Sequence, residues 1–466
     1  VLLEESIMSA KTQDTNIQPT ENKMGVMPVK SLIVSMSLPM MVSMLVQALY
    51  NIVDSIFVAQ LSEDALTAVT LAFPMQNLML AVGSGTGVGI NALLSRSLGK
   101  KEFEEANAAA NTGILLNVFN YIAFLLVGIF AVKPFIESQT KSAVIADYGT
   151  TYLRYVCILS FGLFFQMTFE RLLQSTGRTF QSMISQMTGA IINIILDPML
   201  IFGIGPFPEL GVAGAAIATV FGQVTAAIIG LTLNVTHNKD IKIGIDRILR
   251  PKASTVKQIY IVGVPSILMI SIGSVMTYLL NKILDKFSST AVAVFGVYFK
   301  LQSFFFMPVF GLNNGLIPVL SYNYGARRKD RINEALHFSL RLAVCIMLCG
   351  TIVFELIPGI LLKLFDASDN MIVIGIPALR IIAVHFPIAA LAIALGSVFQ
   401  AFAKSYYSLV VSLGRQLIVL IPAAWILSLF GNVNLVWLAF PIAELVSLMI
   451  TLVFFRRIKR NVIEQL

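Results

Sequence analysis

The chain has 466 residues, 57% of them hydrophobic and 12% charged, with a formal net charge of +8. A soluble domain averages roughly 45–50% apolar and about 25% charged residues, so ordinary globular domains are excluded and lipid is the expected solvent. In so apolar a chain the positive balance marks loop orientation, and nucleic acid is excluded as a partner.

Residues 1–30 are polar and mixed in charge, and lack the basic-then-apolar pattern of a signal peptide. They are expected to form a disordered cytoplasmic tail. A helix needs about 20 apolar residues to cross the hydrocarbon core. Such stretches occur near 31–57, 66–95, 107–132, 148–168, 179–203 and 212–235, and again near 258–284, 291–322, 335–362, 371–398, 405–430 and 433–455. The expected organisation is a six-helix bundle over 31–236, a polar cytoplasmic linker over 237–257, a second bundle over 258–456 and a short tail over 457–466. Twenty Lys and Arg fall in the loops after even-numbered spans and at the C-terminus; the alternate loops hold five, Lys133, Lys141, Lys282, Lys286 and Lys363. That bias places both termini in the cytoplasm.

The two halves repeat. Shifted by 226 residues, Pro39 falls on Pro265, Gln76 on Gln302, Gly85 and Gly89 on Gly311 and Gly315, Ser95 on Ser321, Gly99 on Gly325 and Gln174 on Gln400. Shared Leu and Ala would follow from membrane composition alone, but matched Gln, Gly and Pro at one offset do not. Six spans per half return the chain to its starting side, so the repeats run parallel, about an axis along the membrane normal, with a solute path expected between them.

Ionisable groups inside a membrane are costly and are functional candidates. Gln47, Tyr50, Asn51 and Asp54 follow i, i+3, i+4, i+7 spacing and form one stripe on the first span. Ser182, Gln186, Asn193 and Asp197, with Gly189 completing the period, form another on the fifth. Lipid cannot satisfy such stripes, so they should face a cavity or each other. Two carboxylates in a low-dielectric pocket then share a proton or hold a cation between them. The competing structural account is a polar interhelical contact with no transport role. At the 226-residue offset Asp54 becomes Leu280, Asn193 becomes Val419 and Asp197 becomes Ala423, which assigns the acids to the first half alone. Glu355 and Glu444 are expected near outer interfaces. Lys300 either pairs with a carboxylate or reaches an interface, and Glu170 sits near a cytoplasmic end. Met and Phe, including Phe304-Phe305-Phe306-Met307, suit adaptable binding surfaces and organic cations, although most are packing residues. Gly83, Gly85, Gly87 and Gly89 alternate late in the second span; no Gly-Lys-Ser/Thr follows, so close helix packing is expected and a phosphate loop is not. The three cysteines lie in apolar stretches and the three histidines are scattered, without disulfide or metal spacing.

Ala48-Leu49-Tyr50-Asn51-Ile52-Val53-Asp54, Asn193-Ile194-Ile195-Leu196-Asp197-Pro198, Gly211 through Thr219, and Pro318 through Tyr324-Gly325-Ala326 together resemble the multidrug and toxic compound extrusion (MATE) family, in particular its DinF-like branch. The resemblance covers nearly everything past residue 30. It implies an all-α polytopic membrane protein, a V-shaped pair of six-helix bundles with twelve transmembrane helices. It implies a monomer in the plasma membrane that exports small amphipathic cationic drugs or toxins in exchange for H⁺ or Na⁺, with no other cofactor. Carried over by motif, the cation-coupling site is Asp54, Asn193, Asp197 and Thr219, which would also be the metal ligands if the ion is Na⁺. Gln47, Tyr50, Asn51, Phe73 and Gln186 would line the substrate cavity. A lipid or lipid-linked saccharide flippase of related architecture, or a non-transporting membrane sensor, are the alternatives. An enzyme is not expected, since no catalytic constellation is present.

Overall fold

The computed structural model describes residues 21–365 and 367–466. Among the described residues all regular structure is helical, as lipid requires when backbone groups must be satisfied within each segment. Ten helices are long and apolar enough to cross a membrane unbroken. They are α1 (Val29–Leu61), α2 (Glu63–Gly99), α3 (Phe103–Phe130), α5 (Thr179–Ile201), α6 (Val212–His237), α7 (Ala253–Asp285), α8 (Ser289–Gly325), α9 (Lys329–Leu356), α11 (Ser405–Ser428) and α12 (Val433–Gln465). Two further spans are bent pairs, α4 (Ala143–Ile158 with Phe161–Ser175) and α10 (Asp369–Ala383 with Phe386–Ala401), each bent by 46°. The breaks lie at Leu159 and Ser160 and at Val384 and His385, within one residue of each other at the 226-residue offset. Twelve spans in two groups of six result.

Within the first group α5 packs against α1 and α6, and α2 against α3 and α4. The groups meet through α2 against α7 and α8 against α1, and the small residues of the repeat explain how. A Cβ on Gly85 would lie 2.4 Å from the Ile267 side chain, and one on Gly89 would lie 2.2 Å from the Ile259 carbonyl. In the other half Gly311 would meet the Met41 backbone at 2.6 Å and Gly315 the Ser37 Cα at 2.7 Å. Met41 is the repeat equivalent of Ile267, so the Gly85 contact recurs at Gly311 about the pseudo-axis, and Gly89 and Gly315 each meet the partner helix about one turn or two earlier. Gly99 against the Tyr322 carbonyl and Gly325 against the Arg96 carbonyl complete the reciprocal set. Gly83 and Gly87, on the other face of α2, abut Met167 and Arg171 of α4. The alternation of glycines therefore serves two helix–helix contacts, since small residues let backbones approach in a membrane.

All these cross-bundle approaches lie toward the end that carries the basic loops. They extend as far as Asn77 Nδ2, which donates to Ser274 Oγ at 2.6 Å. Beyond that point the groups diverge into a V around a shared cavity.

Of the expected tail, residues 1–20 lie outside the described residues. From Asn22 the chain is ordered, so a disordered tail reaching residue 30 is too long. Lys23–Val26 form a helical turn capped by Asn22, whose side chain accepts from the Met24 N–H. Asn22 Nδ2 donates to the Thr176 carbonyl of the first bundle at 2.9 Å. Arg331 of the second bundle donates to the carbonyls of Met24 at 3.1 Å and Met27 at 2.7 Å, and Arg328 donates to that of Gly25. Met24 is fully buried. The turn thus straddles both bundles. The inter-bundle linker is also held down: Asn107 Oδ1 accepts from Lys242 N–H at 2.7 Å and Asn111 Oδ1 from Gly244 N–H at 3.0 Å.

Candidate functional site: an oxygen-lined pocket beside the central cavity

The cavity has a volume of about 760 Å³ and is lined from both bundles, a size that accommodates a drug-like molecule. Every predicted substrate residue reaches it: Gln47, Tyr50 and Asn51 from α1, Phe73 from α2 and Gln186 from α5; Asp54, predicted for the ion site, lines it as well. The polar stripes of α1 and α5 face one another, as their period requires, and Gln186 Nε2 donates to Gln47 Oε1 at 3.0 Å. Phe73 is 59% exposed.

About two turns farther along α1 and about three along α5 the acids meet. The Asp54 and Asp197 carboxyls are neighbours there. Asp197 is fully buried and Asp54 half-buried, so Asp54 belongs to the cavity wall although only two turns separate it from the end of α1. Asn193 Nδ2 donates to Asp197 Oδ1 at 3.3 Å and to Thr219 Oγ1 at 3.4 Å. The second contact exists because α5 and α6 approach closely: a Cβ on Gly222 would lie 2.6 Å from the Gly189 carbonyl, and one on Gly189 would lie 2.7 Å from the Gly222 carbonyl. Asp54 Oδ1, Asp197 Oδ2 and Asn193 Oδ1 are buried without a hydrogen-bond partner among the described residues. Unpaired buried acceptors are costly, and a proton or a hard cation is what satisfies a set made only of oxygens.

Several cavity residues carried no clear signal in the sequence. Tyr152 of α4 lies beside the acids and its hydroxyl accepts from Gln76 Nε2 at 3.0 Å; the repeat match of Gln76 to Gln302 was the available clue, and Gln302 also bonds a tyrosine, its Oε1 accepting from the Tyr298 hydroxyl at 2.7 Å. Glu170 is buried, lines the cavity and accepts from Gln166 Nε2 at 2.9 Å. Arg171 ties the bundles together where they converge, donating to Gln174 at 2.9 Å and to Asn314 of α8 at 3.2 Å.

Glu444 is not interfacial. It is 3% exposed, inside the second bundle, and pairs with Arg415 at 3.2 Å; its distance along the chain from the end of α12 concealed its depth. Glu355 pairs with Arg380 at 3.9 Å, both partly exposed. Lys300 is exposed, and no carboxylate among the described residues pairs with it. Cys157 is buried and Cys345 and Cys349 exposed, all as free thiols.

A family model described as MatE matches residues 39–199 and again 265–426, together more than half of the chain. The chain belongs to the MATE family of transporters. The two matches begin 226 residues apart, the offset of the repeat. Among curated MATE relatives, an FAD transporter of Shewanella oneidensis is 28% identical over 90% of this chain and 92% of its own length. The multidrug export protein MepA of Staphylococcus aureus is 25% identical over 88% of this chain and 90% of its own. A solved structure described as the outward-facing conformation of a multidrug resistance MATE transporter superposes with a TM-score of 0.89, at 25% identity, covering 96% of this chain and 99% of that one. This MATE chain is a multi-pass membrane transporter of small organic compounds.

Proposed function

We propose that this transporter is a secondary active antiporter of the plasma membrane, a monomer with both termini cytoplasmic, that exports amphipathic organic cations in exchange for H⁺ or Na⁺. The observation that carries this is the acid pair Asp54 and Asp197, with orphaned buried oxygens, forming one wall of a drug-sized cavity. Asp54, Asn193, Asp197 and Thr219 hold the coupling ion. Gln47, Tyr50, Asn51, Phe73 and Gln186 contact the cargo. The names of the relatives, multidrug export for MepA and FAD transport for the Shewanella protein, support a small organic molecule as cargo.

The described state is closed at the basic-loop end and open at the other, in keeping with a relative solved in an outward-facing form. Entry of the ion neutralises the acids and removes the attraction that holds a cationic cargo in the same wall. Cargo release outside and ion release inside then follow from differential affinity of two states for two ligands. Carboxylates with an amide and a hydroxyl suit Na⁺, whereas a carboxylate pair by itself suits H⁺.

The test is dye efflux in everted vesicles under an imposed pH gradient, with and without sodium. Asp54→Asn and Asp197→Asn are each expected to abolish ion-driven efflux while the protein remains folded. Wild-type rates in both variants defeat the assignment, and efflux indifferent to both gradients defeats antiport.

A further inference from the structure

The second bundle has a polar wall of its own. Ser408, Ser412, Arg415 and Gln416 lie at i, i+4, i+7 and i+8 on α11, and Ser447 and Thr451 at i and i+4 on α12; all six line the cavity. Arg415 falls in a π-helical segment, Gly414–Leu420, an irregularity that π turns bring most often to functional positions. Among the described residues its guanidinium bonds to Glu444 alone, through Nη1 at 3.2 Å, so four of its five N–H donors are available. On the same bundle's cavity wall, Gln416 Oε1, Ser447 Oγ and Thr451 Oγ1 are buried and have no hydrogen-bond partner among the described residues; Ser447 is 1% exposed and Thr451 fully buried. The other cavity guanidinium, Arg171, is by contrast already engaged by Gln174, Asn314 and Ser84.

At the repeat offset Arg415 corresponds to Gly189 and Glu444 to Ala218. In the first bundle Gly189, with Gly222, brings α5 against α6 beside the acid pocket, and Ala218 is a small buried residue. The second bundle fills the equivalent space with an ion pair. The cavity therefore has one wall with two carboxyls and an opposing bundle that brings a half-buried guanidinium, together with unpaired hydroxyl and amide groups, to the same cavity.

We propose that Arg415, oriented by Glu444 and sharing its wall with Gln416, Ser447 and Thr451, is a subsite for the carboxylate of the cargo, so that this protein prefers zwitterionic amphiphiles, cationic at one end and carboxylate-bearing at the other, over purely cationic ones. The inference rests on the efflux reading above and refines its substrate class. A carboxylate is a better match than a phosphate dianion, because Glu444 offsets the charge of Arg415 and recognition then rests on the remaining guanidinium N–H donors. Arg presents a planar fork suited to a carboxylate, and Glu444, almost fully buried, fixes its direction.

The test uses purified full-length protein and a matched fluorescent pair, a rhodamine with a free carboxylate and its ethyl ester, titrated by fluorescence polarisation. The readout is the acid-over-ester affinity ratio. Wild type is expected to favour the acid by about tenfold, and Arg415→Gln to bring the ratio to about one. The double substitution Arg415→Gln with Glu444→Gln, which buries no charge, is expected to do the same and decides the matter if the single variant fails to fold. Glu444→Gln alone is expected to hold or raise the ratio, because it removes the negative charge beside the subsite. A role confined to structure would lower both affinities together and leave the ratio untouched in the double variant; that result overturns the proposal. A wild-type ratio of one or below overturns the subsite and leaves efflux standing, whereas wild-type protein that binds neither dye overturns both.

Discussion

Buried oxygens without partners recur on both sides of the cavity, and the two sets respond differently to substitution. Thr219→Val preserves volume but removes the hydroxyl that receives Asn193. It is expected to lower ion-driven efflux roughly tenfold, the scale of one hydrogen bond near a charge, with little change in unfolding temperature; unaltered efflux would remove Thr219 from the ion site. In the second bundle the issue is charge burial. Arg415→Leu leaves Glu444, 4% exposed at its side chain, without a counter-ion and is expected to destabilise the protein by about 3 kcal/mol, whereas adding Glu444→Leu recovers most of that loss. Thermal unfolding in detergent measures both. The acids were legible in the sequence because Gln47, Tyr50, Asn51 and Asp54 share one helical face and the α5 stripe another. The Arg415–Glu444 pair was not, since its members sit 29 residues apart on different helices and hydropathy locates a span without giving the depth or facing of a side chain.

Helix contacts set the register that brings those residues together. A Cβ on Gly89 would strike the Ile259 carbonyl, and backbone cannot yield as a flexible side chain does. Gly89→Val is therefore expected to separate α2 from α7, seen as a lengthened spin-label distance between them, and to weaken efflux. Gly296→Ala, where nothing lies within 4 Å, is the control and is expected to change neither. The N-terminal turn offers a second test at this scale. Arg331→Ala removes the hydrogen bonds to Met24, Met27 and Asn323, and amide exchange over residues 22–28 is expected to quicken while the bundles stay folded; unchanged protection there would mean that Asn22 and Met24 hold the turn unaided. Composition predicted a loose tail here because a four-residue helix bearing one buried methionine has no periodic signature. Only its neighbours show that it is anchored.

At the scale of the molecule, two bundles related by a parallel repeat meet through equivalent glycine pairs, Gly85 and Gly89 on α7 and Gly311 and Gly315 on α1. Such an interface can open by rocking one bundle against the other without remaking either core. A cysteine pair replacing Asn77 and Ser274, whose side chains touch across it, in a background with Cys157, Cys345 and Cys349 replaced, is expected to lock the bundles when oxidised and to stop efflux until reduced. Continued transport by the oxidised protein would exclude rocking at this seam.

The sequence by itself determined the solvent, the number and order of the spans, the parallel repeat and the confinement of Asp54 and Asp197 to one half, because hydropathy, loop charge and an internal offset are linear properties of the chain. The tertiary structure alone decided which oxygens go unpaired, that Glu444 is buried against Arg415, and that the cavity joins an acidic wall to one bearing a guanidinium. Those depend on how far each helix is turned and how closely it approaches its neighbours, and glycine-mediated packing across the whole molecule sets both.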